Sequence, residues 1–139
     1  MSAPRVADLM TRKVFSLRLD KRMIVVQEMM KWARIRHIPV VDADQRVVGI
    51  ISHRDLLHAA LSSVAPAPAA ERRQHLAEIP IEHVMQCAVQ TIGPDDSVQQ
   101  AARMMRTDKI GCLPVVQDGR LVGIITAYDL LGVAEGAPA

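Results

Sequence analysis

Two side-chain sets repeat at one spacing. Ser52 precedes Asp55 by three positions, and Thr126 precedes Asp129 by three. Each set sits in a longer repeated run, Gly49-Ile-Ile-Ser-His-Arg-Asp-Leu-Leu57 and Gly123-Ile-Ile-Thr-Ala-Tyr-Asp-Leu-Leu131. A carboxylate can accept hydrogen bonds from two vicinal hydroxyls, which suits a ribose. A hydroxyl residue one turn earlier falls at a helix start, where free N–H groups attract phosphate. The same spacing also describes a capping box, in which the hydroxyl and the acid satisfy each other's backbone. Glu or Gln is the usual fourth residue of such a box because it reaches back better than Asp, and here Asp stands there twice. The motif alone leaves both readings open.

Other chemistries lack a residue set. Ser52, His53 and Asp55 are the types of a nucleophile, base and orienting acid, but as near neighbours they point in different directions and form no relay. His37, His53, His58, His75 and His83 show no metal-ligand spacing, so no metal site is expected. Cys87 and Cys112 are unpaired by pattern and read as buried or half-buried reduced thiols, in keeping with a reducing cytoplasm. Aromatic residues are limited to Phe15, Trp32 and Tyr128, the net charge is +2, and charges of both signs are interspersed. That composition argues against a nucleic-acid surface. No apolar run approaches bilayer length and no signal core follows the N-terminus, so a soluble cytoplasmic protein with no membrane partner is expected.

The elements that must position the motifs also come twice. Val6–Met10 reads as one helical turn and Val14–Leu17 as a short strand. Asp20 is placed to cap a helix whose apolar face is Val26, Met29, Met30 and Ala33. Ile38–Asp42 and Arg46–Ile51 form a hairpin, and Ser52 opens a helix through Leu56, Leu57 and Leu61. Residues 62–70 carry prolines at alternate positions and read as a linker, followed by an exposed connecting helix over Glu71–Glu78. The pattern then restarts: a turn at Ile81–Met85, a strand at Val89–Ile92, a Ser97 cap, a helix face of Val98, Ala101, Ala102 and Met105, and a hairpin turning at Asp118-Gly119. Met85 follows Met10 by 75 positions, whereas Gly123 follows Gly49 by 74. The one-residue change falls in the hairpin turn, where a duplicated unit tolerates it. Met23, Met104 and Met105 join Met29 and Met30 as helix-face residues for a core or a dimer surface. Trp32 lies off the main stripe and marks a dimer contact. The tail from Gly136 is expected to be disordered.

The expected fold is therefore α+β: two βαββα repeats, each too small to bury its sheet alone, packed sheet to sheet about a pseudo-twofold axis with clefts where they meet. The expected boundaries are 6–61 for the first repeat, 62–80 for the linker and connecting helix, and 81–135 for the second.

Ile38-Pro-Val-Val-Asp42 with Gly49-Ile-Ile-Ser-His-Arg-Asp55, and Leu113-Pro-Val-Val116 with Gly123-Ile-Ile-Thr-Ala-Tyr-Asp129, resemble a tandem pair of CBS (cystathionine β-synthase type) domains, a Bateman module. The resemblance covers nearly the whole chain apart from linker and ends, so a stand-alone pair without a catalytic domain is expected. It implies a non-enzymatic regulatory role in binding adenosine-containing ligands: AMP, ADP or ATP, with NAD and S-adenosylmethionine as further members. Any magnesium would come with the nucleotide. By the same resemblance Asp55 and Asp129 hold the ribose, with Ser52 and Thr126 as their partners on hydroxyl or phosphate. Lys13, Val14, Ala88 and Val89 border the adenine, together with Ile38, Pro39, Leu113 and Pro114. A flat homodimer signalling to an effector protein is the expected assembly.

The copies are unequal. The first carries Arg36, His37, His53 and Arg54, where the second has Gly111, Cys112, Ala127 and Tyr128. Cations able to meet phosphate come mainly from the first copy, so two inequivalent sites are expected, with Arg54 serving either its own or the opposite pocket and Tyr128 either stacking on a ligand or covering the site. The alternative is a structural dimerisation module, or one that recruits proteins, with degenerate nucleotide sites.

Overall fold

A computed structural model describes residues 3–61 and 68–136. Most of the expected linker (residues 62–67) and the end of the tail (137–139) lie outside the described residues. Among the described residues, six α-helices and two small sheets give an α+β fold. In chain order the elements are α1 (Val6–Leu9), β1 (Leu17–Arg18), α2 (Met23–Ala33), β2 (His37–Val41), β3 (Val47–Ser52), α3 (His53–Leu61), α4 (Ala69–Glu78), α5 (Val98–Asp108), β4 (Cys112–Gln117), β5 (Arg120–Thr126) and α6 (Ala127–Ala134). A single 3₁₀ turn covers Ile81–His83.

The chain forms two compact units, and neither is a continuous stretch equal to one sequence repeat. One joins Met1–Val14 to Gln90–Ala139; the other is Phe15–Val89. The leading turn of each repeat is thus attached to the other repeat's hairpin. Backbone pairing explains the trade. In the Phe15–Val89 unit, the Met23 amide at the start of α2 donates to Ile79 O (2.9 Å), and the Ile81 amide returns to Lys21 O (3.0 Å). In the other unit the Val98 amide at the start of α5 donates to Pro4 O (3.1 Å), and the Val6 amide to Asp96 O (2.8 Å). Helix starts carry amides with no partner inside the helix, and here a neighbouring backbone segment takes one from each.

The Phe15–Val89 unit has sheet order β1-β2-β3, with β1 parallel to β2 and β2 antiparallel to β3. Its core gathers Leu17, Met23, Val26, Met30, Ile38, Val40, Ile51, Leu56, Leu76 and Ile81. The second unit pairs β4 with β5 over a core of Val6, Met10, Ile92, Ala101, Met105, Leu113, Val115 and Ile125. The hairpin of this unit turns at Asp118 (φ 52°) and Gly119 (φ 80°), the pair of left-handed residues that a two-residue turn requires.

Several local expectations shift. The first strand is reduced to Leu17–Arg18 and leaves out Val14. Val89–Ile92 forms no strand; only Ile92 bridges, donating to Pro114 O (3.1 Å) and accepting from Val116 N–H (2.9 Å). Asp20 does not cap α2. The helix begins at Met23 with Arg22 at its N-cap and no side-chain cap, so Asp20 stands two residues too early, while Ile79 O takes the Met23 amide. Ala102 is exposed while Val98, Ala101 and Met105 are buried. The connecting helix α4 is mostly exposed, yet its Leu76 is fully buried in the unit's core. Ser97 does cap α5, accepting from the Gln100 amide at 3.0 Å.

The motif glycines fit this packing. A Cβ on Gly49 would stand 2.5 Å from Met85 Sδ and 3.2 Å from Gln86 O; one on Gly123 would stand 2.6 Å from Met10 Sδ and 3.1 Å from Thr11 O. A thioether can move aside, but a bridged backbone carbonyl cannot. Gly49→Ala and Gly123→Ala should each lower stability by about 1–3 kcal/mol in urea titrations. An unchanged midpoint would show that the traded segments do not press on the sheets.

Candidate functional site

Each motif lies where the last strand of a unit runs into the helix that directly follows it. At the end of β3, the Ser52 amide donates to Asp55 Oδ2 (2.8 Å), the Ser52 hydroxyl donates to the same oxygen (3.0 Å), and the Asp55 amide donates to Ser52 Oγ (3.2 Å). At the end of β5, the Thr126 amide and hydroxyl donate to Asp129 Oδ2 (2.8 and 3.1 Å), and the Asp129 amide donates to Thr126 Oγ1 (3.4 Å). Both are therefore capping boxes, built on aspartate.

The capping geometry does not exclude the ligand reading, because it uses one carboxylate oxygen of two. Oδ2 receives two hydrogen bonds in each motif, and Oδ1 remains. It does narrow the role of the hydroxyls. Each directs its proton at its own aspartate, so it can accept from a ligand hydroxyl but has no proton for a phosphate. The helix-start amides are largely committed too, since the His53 amide donates to Arg36 O (2.8 Å) and the Ala127 amide to Gly111 O (2.9 Å). Phosphate must then be met by cationic side chains.

Those side chains occur in the Phe15–Val89 unit. Arg36 and His53 line a cavity of about 510 Å³ between α2 and α3, together with Lys31 and Arg34 and an apolar floor that includes Ile35 and Leu56. The sequence reading missed Lys31 and Arg34. Arg34 ends α2 in the left-handed conformation (φ 56°), which turns the chain toward Arg36. Arg54 is exposed and does not line this cavity. His37 pairs with Ser52 across the β2–β3 ladder. Burial holds its imidazole below the usual value of 6.5, against the pull of Asp55 and with the help of Arg36.

At the places of Lys31 and Arg34 the other unit keeps cations, Arg106 and Lys109, the latter ending α5 in the left-handed conformation (φ 55°), but at those of Arg36, His37, His53 and Arg54 it has Gly111, Cys112, Ala127 and Tyr128. Cys112 pairs with Thr126 across the β4–β5 ladder and is buried; desolvation, then the charge of Asp129, push its thiol up to about 12. It stays a neutral thiol. Cys87 is exposed rather than buried or half-buried as its pattern suggested. Tyr128 is 82% exposed on the first turn of α6. Of the residues expected around an adenine, Ile38, Pro39, Leu113 and Pro114 are buried strand residues. Lys13 and Val14 belong to the unit of Asp129, whereas Ala88 and Val89 belong to that of Asp55.

Gln86 was also missed. It forms a two-way backbone bridge with Ile50, and its side-chain amide donates to Asp55 Oδ1 (3.3 Å). Among the described residues, no group of three or more His, Cys, Asp or Glu is placed to hold a metal ion, and no helix is long and apolar enough to cross a membrane.

The CBS domain profile matches residues 6–62 and 81–136, and the chain belongs to the CBS-domain family as a tandem pair. A CBS domain-containing protein of Dictyostelium discoideum is 35% identical over 91% of this chain and 88% of its own. A Vibrio cholerae protein provisionally assigned to acetoin utilization (AcuB) superposes with a TM-score of 0.80 at 35% identity, covering 97% of this chain and 93% of the other. The CBS domain pair of protein MJ0100, crystallised with 5′-methylthioadenosine and S-adenosyl-L-methionine, superposes at 0.82 with 26% identity, covering 97% and 98%. The chain also matches homoserine O-acetyltransferases, but spans only 23% of the Methanococcoides burtonii enzyme at 30% identity. CBS pairs are in general regulatory rather than catalytic.

The buried state of His37 gives a pH test. The folded chain resists protonating this imidazole, so near pH 6 the unfolded chain binds more protons. Its contribution is full above the ordinary value of 6.5 and is lost as the pH falls from there through the lowered folded value. Between pH 8 and pH 6, the melting temperature of His37→Asn should fall by less than that of the wild type. Equal falls would contradict the assignment.

Proposed function

We propose that the chain is a non-enzymatic regulatory module that binds adenosine-containing ligands at its two Ser/Thr-x-x-Asp ends. The observation that carries this reading is the division of labour within each aspartate. Oδ2 fixes the carboxylate by two internal hydrogen bonds, and the cap leaves Oδ1 to accept from a sugar, alone at Asp129 and shared with the Gln86 amide at Asp55. A side chain held by its own helix start is pre-organised, so little rotamer freedom is lost when a ligand binds.

The surroundings favour different ligands at the two ends. In the Asp55 unit, Lys31, Arg34, Arg36 and His53 line a cavity that Asp55 itself does not line, and these cations suit the phosphates of AMP, ADP or ATP, with magnesium arriving only on the nucleotide. The Asp129 unit keeps Arg106 and Lys109 but has a neutral thiol and an exposed tyrosine in place of His37 and Arg54, so its poorer cation set suits a nucleoside without a phosphate chain, such as methylthioadenosine or S-adenosylmethionine. That the MJ0100 pair holds both of these molecules is in keeping with this reading. Binding would act on an effector protein through a homodimer, for which the exposed Trp32, Leu57, Leu61 and Leu131 offer apolar surface. Two free cysteines are in keeping with a cytoplasmic setting.

Melting curves with AMP, ADP, ATP, NAD, S-adenosylmethionine and methylthioadenosine test the proposal. A ligand at about a hundred times its Kd adds roughly 2.7 kcal/mol, a rise of several degrees for a domain of this size. The rise should vanish in Asp55→Ala/Asp129→Ala. No rise with any ligand, or one unchanged in the double variant, would leave a module that only dimerises or recruits proteins.

A further inference from the structure

We infer that Gln86 is a specificity-determining residue that occupies the ribose acceptor of Asp55 and so makes Asp129 the stronger nucleoside site. The inference rests on the ligand-binding reading above and adds a ranking of the two sites with a single side chain as its cause.

The reasoning is one of lone pairs. A carboxylate has about four acceptor positions, two on each oxygen. In both motifs the capping box takes two of them, on Oδ2. Two vicinal hydroxyls need two more. Asp129 Oδ1 accepts no hydrogen bond among the described residues and can serve both hydroxyls. Asp55 Oδ1 already accepts from Gln86 Nε2 at 3.3 Å and can serve one. A ribose at Asp55 must displace Gln86 or leave one hydroxyl unpaired.

The two units contain a built-in control. Gln86 is held against its sheet by paired backbone bonds with Ile50 (2.9 and 3.0 Å), and Thr11 is held in the same way by Ile124 (2.8 and 3.0 Å). Ile50 and Ile124 each follow the motif glycine directly and precede the motif hydroxyl residue by two. Gln86 and Thr11 therefore stand at corresponding places beside the two carboxylates. They differ in length and in donor. The glutamine amide reaches Asp55; the threonine side chain makes no such bond to Asp129. Both residues are exposed, so exchanging them leaves the cores untouched. Sequence pattern alone would not single out Gln86, because it lies outside both Ser/Thr-x-x-Asp motifs and its reach depends on the trade of leading segments.

Isothermal titration with 5′-methylthioadenosine and with AMP separates the sites when each is measured alone, the Asp129 site in Asp55→Ala and the Asp55 site in Asp129→Ala. Gln86→Thr should tighten binding at the Asp55 site by about three- to tenfold and leave the Asp129 site as it was. Thr11→Gln should weaken the Asp129 site by a similar factor and leave the Asp55 site alone. An unchanged or weakened Asp55 site in Gln86→Thr would overturn this role for Gln86 while ligand binding itself stands. Heat from neither ligand, in the parent protein and in both exchanged variants, would instead overturn the ligand-binding reading and this inference with it.

Discussion

The site depends on one hydrogen-bond arrangement, an aspartate Oδ2 that accepts from both the amide and the hydroxyl of the residue three positions before it. It ends the strand, starts the helix and fixes a carboxylate at the junction. Capping and ligand recognition are often weighed as rival explanations of such a motif. On the proposed reading they are consecutive uses of one side chain. Because the box consumes one oxygen, it aims the other without a rotamer search, and it leaves the hydroxyl as an acceptor only. On that reading any phosphate chemistry is passed to arginine, lysine and histidine side chains rather than to the helix starts.

The second constraint is the trade of leading segments. Residues before β1 complete the unit of the second hairpin, and residues after α4 complete that of the first. Each traded segment presses a methionine against the motif glycine and lays a backbone bridge beside the strand leading to the carboxylate. The residue at that bridge is then a neighbour of the site by construction. Glutamine at one bridge and threonine at the other are enough to give chemically alike motifs different acceptor capacity. A buried thiol in place of a half-buried imidazole is a second difference between the two units.

Much of this was legible in the sequence where local rules decide. The repeat offset, the two hairpins, the Asp118-Gly119 turn, the Ser97 cap and the buried faces of α2 and α5 all follow from spacing and turn chemistry. The expectations that moved were those settled by distant backbone. Asp20 stands two residues before the N-cap of a helix whose start is set against the carbonyl of Ile79, and Val89–Ile92 kept only one bridge instead of a strand. Leu76 reads as one apolar residue on a charged helix, yet it completes a core. Gln86 carries no local signal of function, because its significance lies in a hydrogen bond to a residue 31 positions earlier. Lys31 and Arg34 look like ordinary solvated helix-end cations until the left-handed turn at Arg34 brings them to the cavity shared with Arg36 and His53.

The central claim is that two near-identical capped aspartates are unequal sugar acceptors. Amide NMR resonances followed while 5′-methylthioadenosine is added test it most directly. The Thr126 and Asp129 amides should move first, and the Gln86 side-chain amide should move only at higher ligand, together with Ser52 and Asp55. Movement of both sets in parallel, or of the Asp55 set first, would contradict the account.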